Sequence, residues 1–133
     1  MTGHRPRGAG RAALAAEVWW TYHRVRRLLP HGDVGQMVAI LAALRRAPAA
    51  PDVDPVWLGR LIVRRLPQGE AVCIHRALVL VAMLRRRGVG CELVIGLPKI
   101  ATGKDAHAWV EVQGSDVGPP PGGARHTALA RYP

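Results

Sequence analysis

The chain has 133 residues, a length typical of one domain, and 49% of them are hydrophobic, enough for one compact core. Its 19 Lys and Arg against 9 Asp and Glu give a net charge of +10, which favours an acidic partner such as nucleic acid, an anionic membrane or an acidic peptide. The basic residues cluster at predicted helix ends, a pattern typical of helix-dipole partners and solvated caps. Because the sequence holds no aromatic-interleaved basic stripe and no zinc motif, we predict neither nucleic-acid binding nor a metal or cofactor.

Cysteine usage and hydropathy bear on the cellular compartment. The two cysteines are 18 residues apart and form no CxxC pair, which suits a reduced cytosolic protein better than a disulfide scaffold. No apolar run reaches about 18 residues, so no transmembrane helix is predicted. The short apolar stretch near the N-terminus is interrupted by Glu17 and does not fit a signal peptide. We therefore predict a cytoplasmic protein.

The first half of the chain has the periodicity of helices. Apolar residues at helical spacing predict helices over residues 11–29, 34–46 and 55–65. Asp33 is expected to cap the second, and Asp54 followed by Pro55 is a typical start for the third. We predict a disordered basic N-terminus over residues 1–10, then a single domain over residues 11–133 with a helical part at 11–66 and a catalytic core at 70–133.

The second half is organised around a helix that opens on Cys73. Its residues are apolar nearly all round, as in a helix packed in a core, and three arginines precede a capping residue at Gly88. Strands are predicted over residues 89–96 and 106–112, and a last short strand over the alternating residues near 126–130. The prediction is an α+β fold, with N-terminal helices followed by a cysteine-bearing helix packed on a small antiparallel sheet.

Cys73 and His107 are the candidate catalytic pair. A thiol at a helix N-terminus is acidified by the helix dipole, and an imidazole on a neighbouring strand supplies the base that a thiol nucleophile needs. The competing interpretation is structural, because free cysteines are among the most buried residue types; Cys91, on a strand with no partner motif, fits it. His75 lies about 200° around the helix from Cys73 and is a poor base for that thiol. Trp109 shares the face of His107, where it would shield the pair, line the substrate cleft or simply pack.

Four motifs carry a family resemblance: CIHRAL from Cys73, RRRGV, LVIG and AHAWVEV around His107. Together and in this order they resemble the leader peptidases of lasso-peptide biosynthesis, which have a transglutaminase-like, papain-related core. The resemblance covers the last half of the chain. It implies that Cys73 is the nucleophile and His107 its general base. It also implies a ribosomally made precursor peptide as substrate, a small leader-binding partner protein, and an ATP-dependent cyclase that receives the core peptide.

The resemblance further implies an acid that orients the imidazole, as in other catalytic triads. In the family this acid lies about a dozen residues after the histidine, where this chain has prolines at 119–121. Asp116 is the nearest acid and is our predicted orienting residue. Asp105 and Glu111 are alternatives, and a Cys–His pair without an acid also remains open.

Strand geometry bears on Asp116. A tight turn at Gly114 and Ser115 would pair His107 with about residue 122, and would leave Asp116 up to about 20 Å away along the strand. A wider loop, or a bulge near Gly118, would bring the carboxylate closer to the imidazole.

The predicted function is that of a cysteine peptidase removing the leader from a lasso-peptide precursor. The backbone N–H of Cys73, at the helix start, is the predicted oxyanion donor. Two other classes stay open: a catalytically weak scaffold for the maturation complex, and a basic helical module that binds nucleic acid or membrane. A transglutaminase-like core is also compatible with acyl transfer other than hydrolysis.

Overall fold

A computed structural model describes residues 8–44, 52–67, 73–98, 107–118 and 126–133. Within these ranges the helices are α1 Ala9–Leu28, with a 3-10 turn at Leu29–His31, α2 Val34–Ala42, α3 Pro55–Arg65 and α4 Cys73–Arg85. The strands are β1 Glu92–Pro98, β2 His107–Val112, β3 Ser115–Asp116 and β4 His126–Tyr132. The predicted α+β fold is confirmed. Residues 1–7 of the predicted disordered segment lie outside the described residues, and its last two residues already belong to α1.

The helix ends follow the local chemistry of the sequence. Asp33 caps α2, its carboxylate accepting a hydrogen bond from the Gln36 N–H at 2.8 Å. Pro55 is the first residue of α3, where its missing N–H costs nothing. After α4 the chain reverses through Gly88, whose φ of 75° is in the left-handed region. The main deviation is that α2 ends at Ala42, four residues earlier than predicted.

The four strands form one antiparallel sheet in the order β3-β2-β1-β4. The register pairs Gly96 of β1 with His107 of β2. β4 joins the other edge of β1, so the predicted last strand is confirmed. The predicted turn at Gly114 and Ser115 is wrong by one residue, because Gln113 and Gly114 form it with φ of 52° and 79°. A two-residue hairpin turn with positive φ at both positions matches the twist of its strands.

The core is centred on α4. Every residue from 77 to 84 is buried, because α1, α2 and α3 pack around the helix and β2 packs against it as well. This explains why the helix is apolar on all sides, as the sequence pattern predicted. The packing of α4 on β2 also holds the start of the helix next to the start of the strand.

None of the described helices is long and apolar enough to cross a membrane.

The arginines after α4 correct one prediction. Arg87 is buried, and its guanidinium donates two hydrogen bonds to the Glu17 carboxylate, at 2.6 and 2.8 Å. Arg86 pairs with the same carboxylate at 2.9 Å. The expectation of solvated caps is therefore wrong for these two residues. They join the end of α4 to α1, because a carboxylate that is largely buried between helices needs compensating charge.

Candidate active site

Cys73 and His107 meet where α4 packs on β2. Cys73 is the first residue of α4 and His107 the first residue of β2, and the thiol and the imidazole are hydrogen-bonded. The two residues are 34 positions apart in the sequence, so it is the packing of these two elements that brings them together. The geometry supplies a thiol and a base in direct contact, the arrangement of an activated nucleophile.

The surroundings of Cys73 favour the thiolate. The hydrogen bond with His107 is the largest influence and lowers the pKa of the Cys73 thiol, while partial burial raises it. The backbone N–H groups of Ala108 and Ile74 and the charge of the imidazolium lower it further. The net result is a pKa below the ordinary value of a cysteine. Because the thiolate is the nucleophilic form, this environment favours the reactive state of Cys73.

A cavity of about 100 Å³ opens beside the pair. It is bounded by α3, α4 and the β2–β3 hairpin, and the residues that line it are Gly59, Ile62, Val63, Cys73, Arg76, Ala77, Leu80, His107, Ala108, Trp109, Val110 and Gly118. Most of this lining is apolar. Such a cavity, mostly apolar with a few polar groups, is typical of a site that holds part of a ligand next to the reacting atoms.

Trp109 lies against His107 and lines the same cavity. Its indole stacks on the imidazole with ring centroids 6.0 Å apart and 23° between the planes. The indole N–H donates to Glu111 at 2.9 Å, and Arg131 donates to the other carboxylate oxygen of Glu111 at 2.8 Å. Alternate residues of β2 thus form a chain of contacts that runs from the imidazole to an ion pair. This chain fixes the plane of the indole and restricts the imidazole beneath it.

Glu111 is ionised in this arrangement. Partial burial raises the pKa of its carboxyl group, but the hydrogen bonds from Arg131 and Trp109 outweigh burial and bring the pKa below its ordinary value. Both carboxylate oxygens are engaged by these two donors. Glu111, one of the alternative orienting acids, is therefore connected to the imidazole through the ring of Trp109.

Asp116 lies on β3 opposite Glu111, four residues along β2 from His107. At about 3.3 Å per residue this separation is roughly 13 Å along the strand, less than the sequence predicted. Its carboxylate accepts a hydrogen bond from the Gly118 N–H at 2.9 Å, and its side chain is exposed. Its role as orienting acid stays a prediction. Asp105 and the prolines at 119–121 lie outside the described residues.

The remaining sulfur and imidazole candidates have other surroundings. Cys91 is buried and burial raises the pKa of its thiol, which confirms it as a packing residue; both cysteines are free. His75 makes an edge-on contact with Tyr22, the ring centroids lying 5.8 Å apart. Burial, and then the charge of Arg26, lower the pKa of His75. His75 thus packs against Tyr22 of α1.

One cavity residue was missed from the sequence. Arg76 follows Cys73 by three residues, a spacing that puts two side chains on one face of a helix. The spacing was a usable signal, but a single arginine in a chain with many of them did not stand out.

Within the described part of the chain, no three His, Cys, Asp or Glu side chains are grouped to hold a metal ion.

Comparison with known proteins assigns this chain to a family. The transglutaminase-like superfamily matches residues 18–131, a span that includes both Cys73 and His107 and most of the chain. No curated protein and no solved structure matches the sequence. The helix that begins at the thiol and the strand that begins at the imidazole fall within the matched span, as does the antiparallel sheet except for Tyr132 at the end of β4. The chain therefore belongs to the transglutaminase-like superfamily.

Proposed function

We propose that this protein is a cytoplasmic cysteine peptidase that removes the leader from a lasso-peptide precursor, acting with a leader-binding partner protein. The observation that carries the proposal is the hydrogen bond between Cys73 and His107 at the edge of a cavity. The superfamily includes cysteine peptidases and transglutaminases, and both use a thiol nucleophile. The narrower substrate class rests on the four motifs that resemble the lasso leader peptidases.

The proposed reaction has two steps. The Cys73 thiolate attacks the carbonyl carbon of the scissile peptide bond, and the imidazolium of His107 gives its proton to the departing amine of the core peptide. This leaves the leader as a thioester on Cys73. His107 then takes a proton from water as the water attacks the thioester. This releases the leader acid, which ionises in solvent, and restores the Cys73 thiolate and the His107 imidazolium.

Oxyanion stabilisation is assigned to the start of α4. Cys73 belongs to the first turn, whose N–H groups have no carbonyl partner within the helix, so the N–H of Cys73 is a suitable donor to the tetrahedral intermediate. Trp109, which lines the cavity beside the pair, is assigned to substrate binding as well as to support of the imidazole. Asp116 remains the proposed orienting acid.

The partners follow from the family resemblance and the charge. We assign a leader-binding protein that presents the precursor, and an ATP-dependent lasso cyclase that accepts the released core. A net charge of +10 assists the approach of an acidic leader or an acidic partner by electrostatic steering, which raises the rate of encounter more than the specificity.

Mass spectrometry of a precursor peptide tests the proposal. The precursor encoded beside this gene is incubated with the leader-binding partner and with wild type, Cys73→Ala, His107→Ala or Asp116→Ala protein. The proposal requires that wild type releases the leader and Cys73→Ala does not. Equal cleavage by Cys73→Ala would exclude the thiol mechanism. The rate with Asp116→Ala decides between a triad and a Cys–His pair.

One sequence feature favours a second candidate. The family acid about a dozen residues after the histidine is replaced by proline, which favours a scaffold for the maturation complex with little activity of its own. The same incubation separates the two: a scaffold gives no leader release with wild type, yet still co-purifies with the partner. Acyl transfer is recognised by adding a primary amine, since a transferase gives a leader amide in place of the free acid.

A further inference from the structure

Arg76 is placed to act beside the nucleophile. It lies three residues after Cys73 on α4, so the two side chains leave the same face of the helix. Both residues line the cavity that holds His107. Arg76 is the one arginine among the described residues that line this cavity.

The surroundings of Arg76 leave part of its hydrogen-bonding capacity unused. Its Nε is buried and has no hydrogen-bond partner within the described part of the chain. Arg87 is a useful contrast, because its buried guanidinium is neutralised by Glu17. A buried donor without a partner is unfavourable, and more so when it belongs to a charged group. Such a group is a candidate for binding an acceptor that the protein itself does not supply.

The lining of the cavity indicates which acceptor fits. None of its described lining residues is acidic, and most are apolar. The described lining therefore supplies no negative charge to Arg76, which leaves this partly buried arginine available to an anionic ligand. A planar guanidinium offers donors in a fork that matches the two oxygens of a carboxylate, a better fit than a single carbonyl oxygen.

We propose that Arg76 binds a carboxylate next to Cys73, and that in the substrate this carboxylate is an Asp or Glu side chain close to the scissile bond. The identity of the substrate group rests on the proposed peptidase function, whereas the carboxylate site itself does not. Arg76 thereby selects acidic peptide residues at the cleft and holds the neighbouring carbonyl near the thiolate.

Two alkylating reagents of similar size test the site without a peptide. Iodoacetate carries a carboxylate and iodoacetamide does not, and both alkylate the same thiolate with loss of iodide. The ratio of their rates at Cys73, read by peptide mass spectrometry, therefore cancels any change in thiolate fraction. In Arg76→Gln we expect this ratio to fall about tenfold from wild type, the effect of losing a hydrogen bond to a charged group. Arg64→Gln, an exposed arginine on α3 outside the cavity lining, is the matched control and keeps the wild-type ratio.

A second measurement needs no substitution. Sodium acetate is expected to slow the alkylation of wild type by iodoacetamide in a saturable way, whereas acetamide with sodium chloride at the same ionic strength does not. An unchanged reagent ratio in folded Arg76→Gln, an equal fall in Arg64→Gln, or absence of acetate protection would each overturn the proposal. If the ratio falls and acetate protects but no precursor is cut, the carboxylate site stands and the peptidase function fails.

Discussion

The indole of Trp109 stacks on the imidazole of His107, and its N–H is hydrogen-bonded to Glu111. The imidazole thus lies against a neighbour on its own strand, and the Glu111 carboxylate that accepts from this neighbour is paired with Arg131. A ring fixed in this way limits the rotation of the imidazole. We expect this contact to supply part of the positioning of the imidazole that an orienting acid would give.

Trp109→Phe tests this support. The substitution keeps an aromatic ring over the imidazole and removes the hydrogen bond to Glu111. We expect kcat for leader release to fall roughly tenfold with a smaller change in KM, since a hydrogen bond to a charged group is lost. Glu111→Gln removes the charge and is expected to lower kcat in the same direction. A kcat equal to that of wild type in both variants would contradict the positioning role.

Gly96 lies against the indole of Trp109 and leaves the space that this ring occupies. A Cβ atom at this position would lie 2.7 and 2.9 Å from Trp109 Cη2 and Cζ3, and would clash with the carbonyl oxygen of Thr127. Gly96→Ala is therefore expected to displace the indole and lower cleavage about tenfold or more, because small misplacements at an active site are costly. Gly90→Ala, where a Cβ meets nothing within 4 Å, is the control and should cut normally. Equal activity in the two variants would show that the indole need not stay in place.

The pH dependence of Cys73 alkylation reports how strongly His107 stabilises the Cys73 thiolate. The hydrogen bond with His107 lowers the pKa of the thiol, so wild type should react with iodoacetamide at a pH below the ordinary titration range of cysteine. Removing the imidazole in His107→Ala removes the largest lowering influence and leaves the effect of burial. The midpoint of the rate profile should then move to higher pH. A midpoint that does not move would mean that His107 does not stabilise the thiolate.

The sequence predicted the elements with strong local signals. The nearly continuous apolar segment and Gly88 indicated α4, and the alternation from His107 onward indicated β2, because each pattern lies within about a dozen residues of sequence. Cys73 and His107 begin this helix and this strand, so the prediction that the two elements pack together also predicted that the two residues form a pair. The turn at Gln113 was misplaced because glutamine at positive φ has no strong sequence signature.

Long-range charge pairing was not predictable in the same way. Glu17 and Arg87 are 70 residues apart, and nothing near either residue indicates its partner. The chain holds 19 basic residues, so the choice among them depends on how α1 packs against α4. The buried Nε of Arg76, which has no hydrogen-bond partner among the described residues, could not be predicted for the same reason. Burial within a cavity depends on the fold and not on the local sequence.

The Glu17 ion pair should be important for stability. Glu17→Gln leaves the buried Arg87 guanidinium without a counter-charge, and we expect the free energy of unfolding to fall by about 3 kcal/mol. Glu92→Gln breaks a pair with Arg131 in which both side chains are about half exposed, so it should cost less than about 1 kcal/mol. Urea denaturation of the two variants beside wild type gives both values. An equal loss of unfolding free energy in the two variants would contradict the conclusion that the largely buried ion pair of Glu17 stabilises the fold more than the exposed pair of Glu92.

Partial alkylation of wild type tests most directly the central proposal that Cys73 is the nucleophile in leader release. Protein treated with increasing iodoacetamide is assayed for leader release, while mass spectrometry gives the modified fraction of Cys73 and of Cys91. Burial raises the pKa of the Cys91 thiol, so Cys73 should react first. The account predicts that activity falls in proportion to Cys73 modification while Cys91 is still intact. Full leader release by protein whose Cys73 is completely alkylated would contradict it.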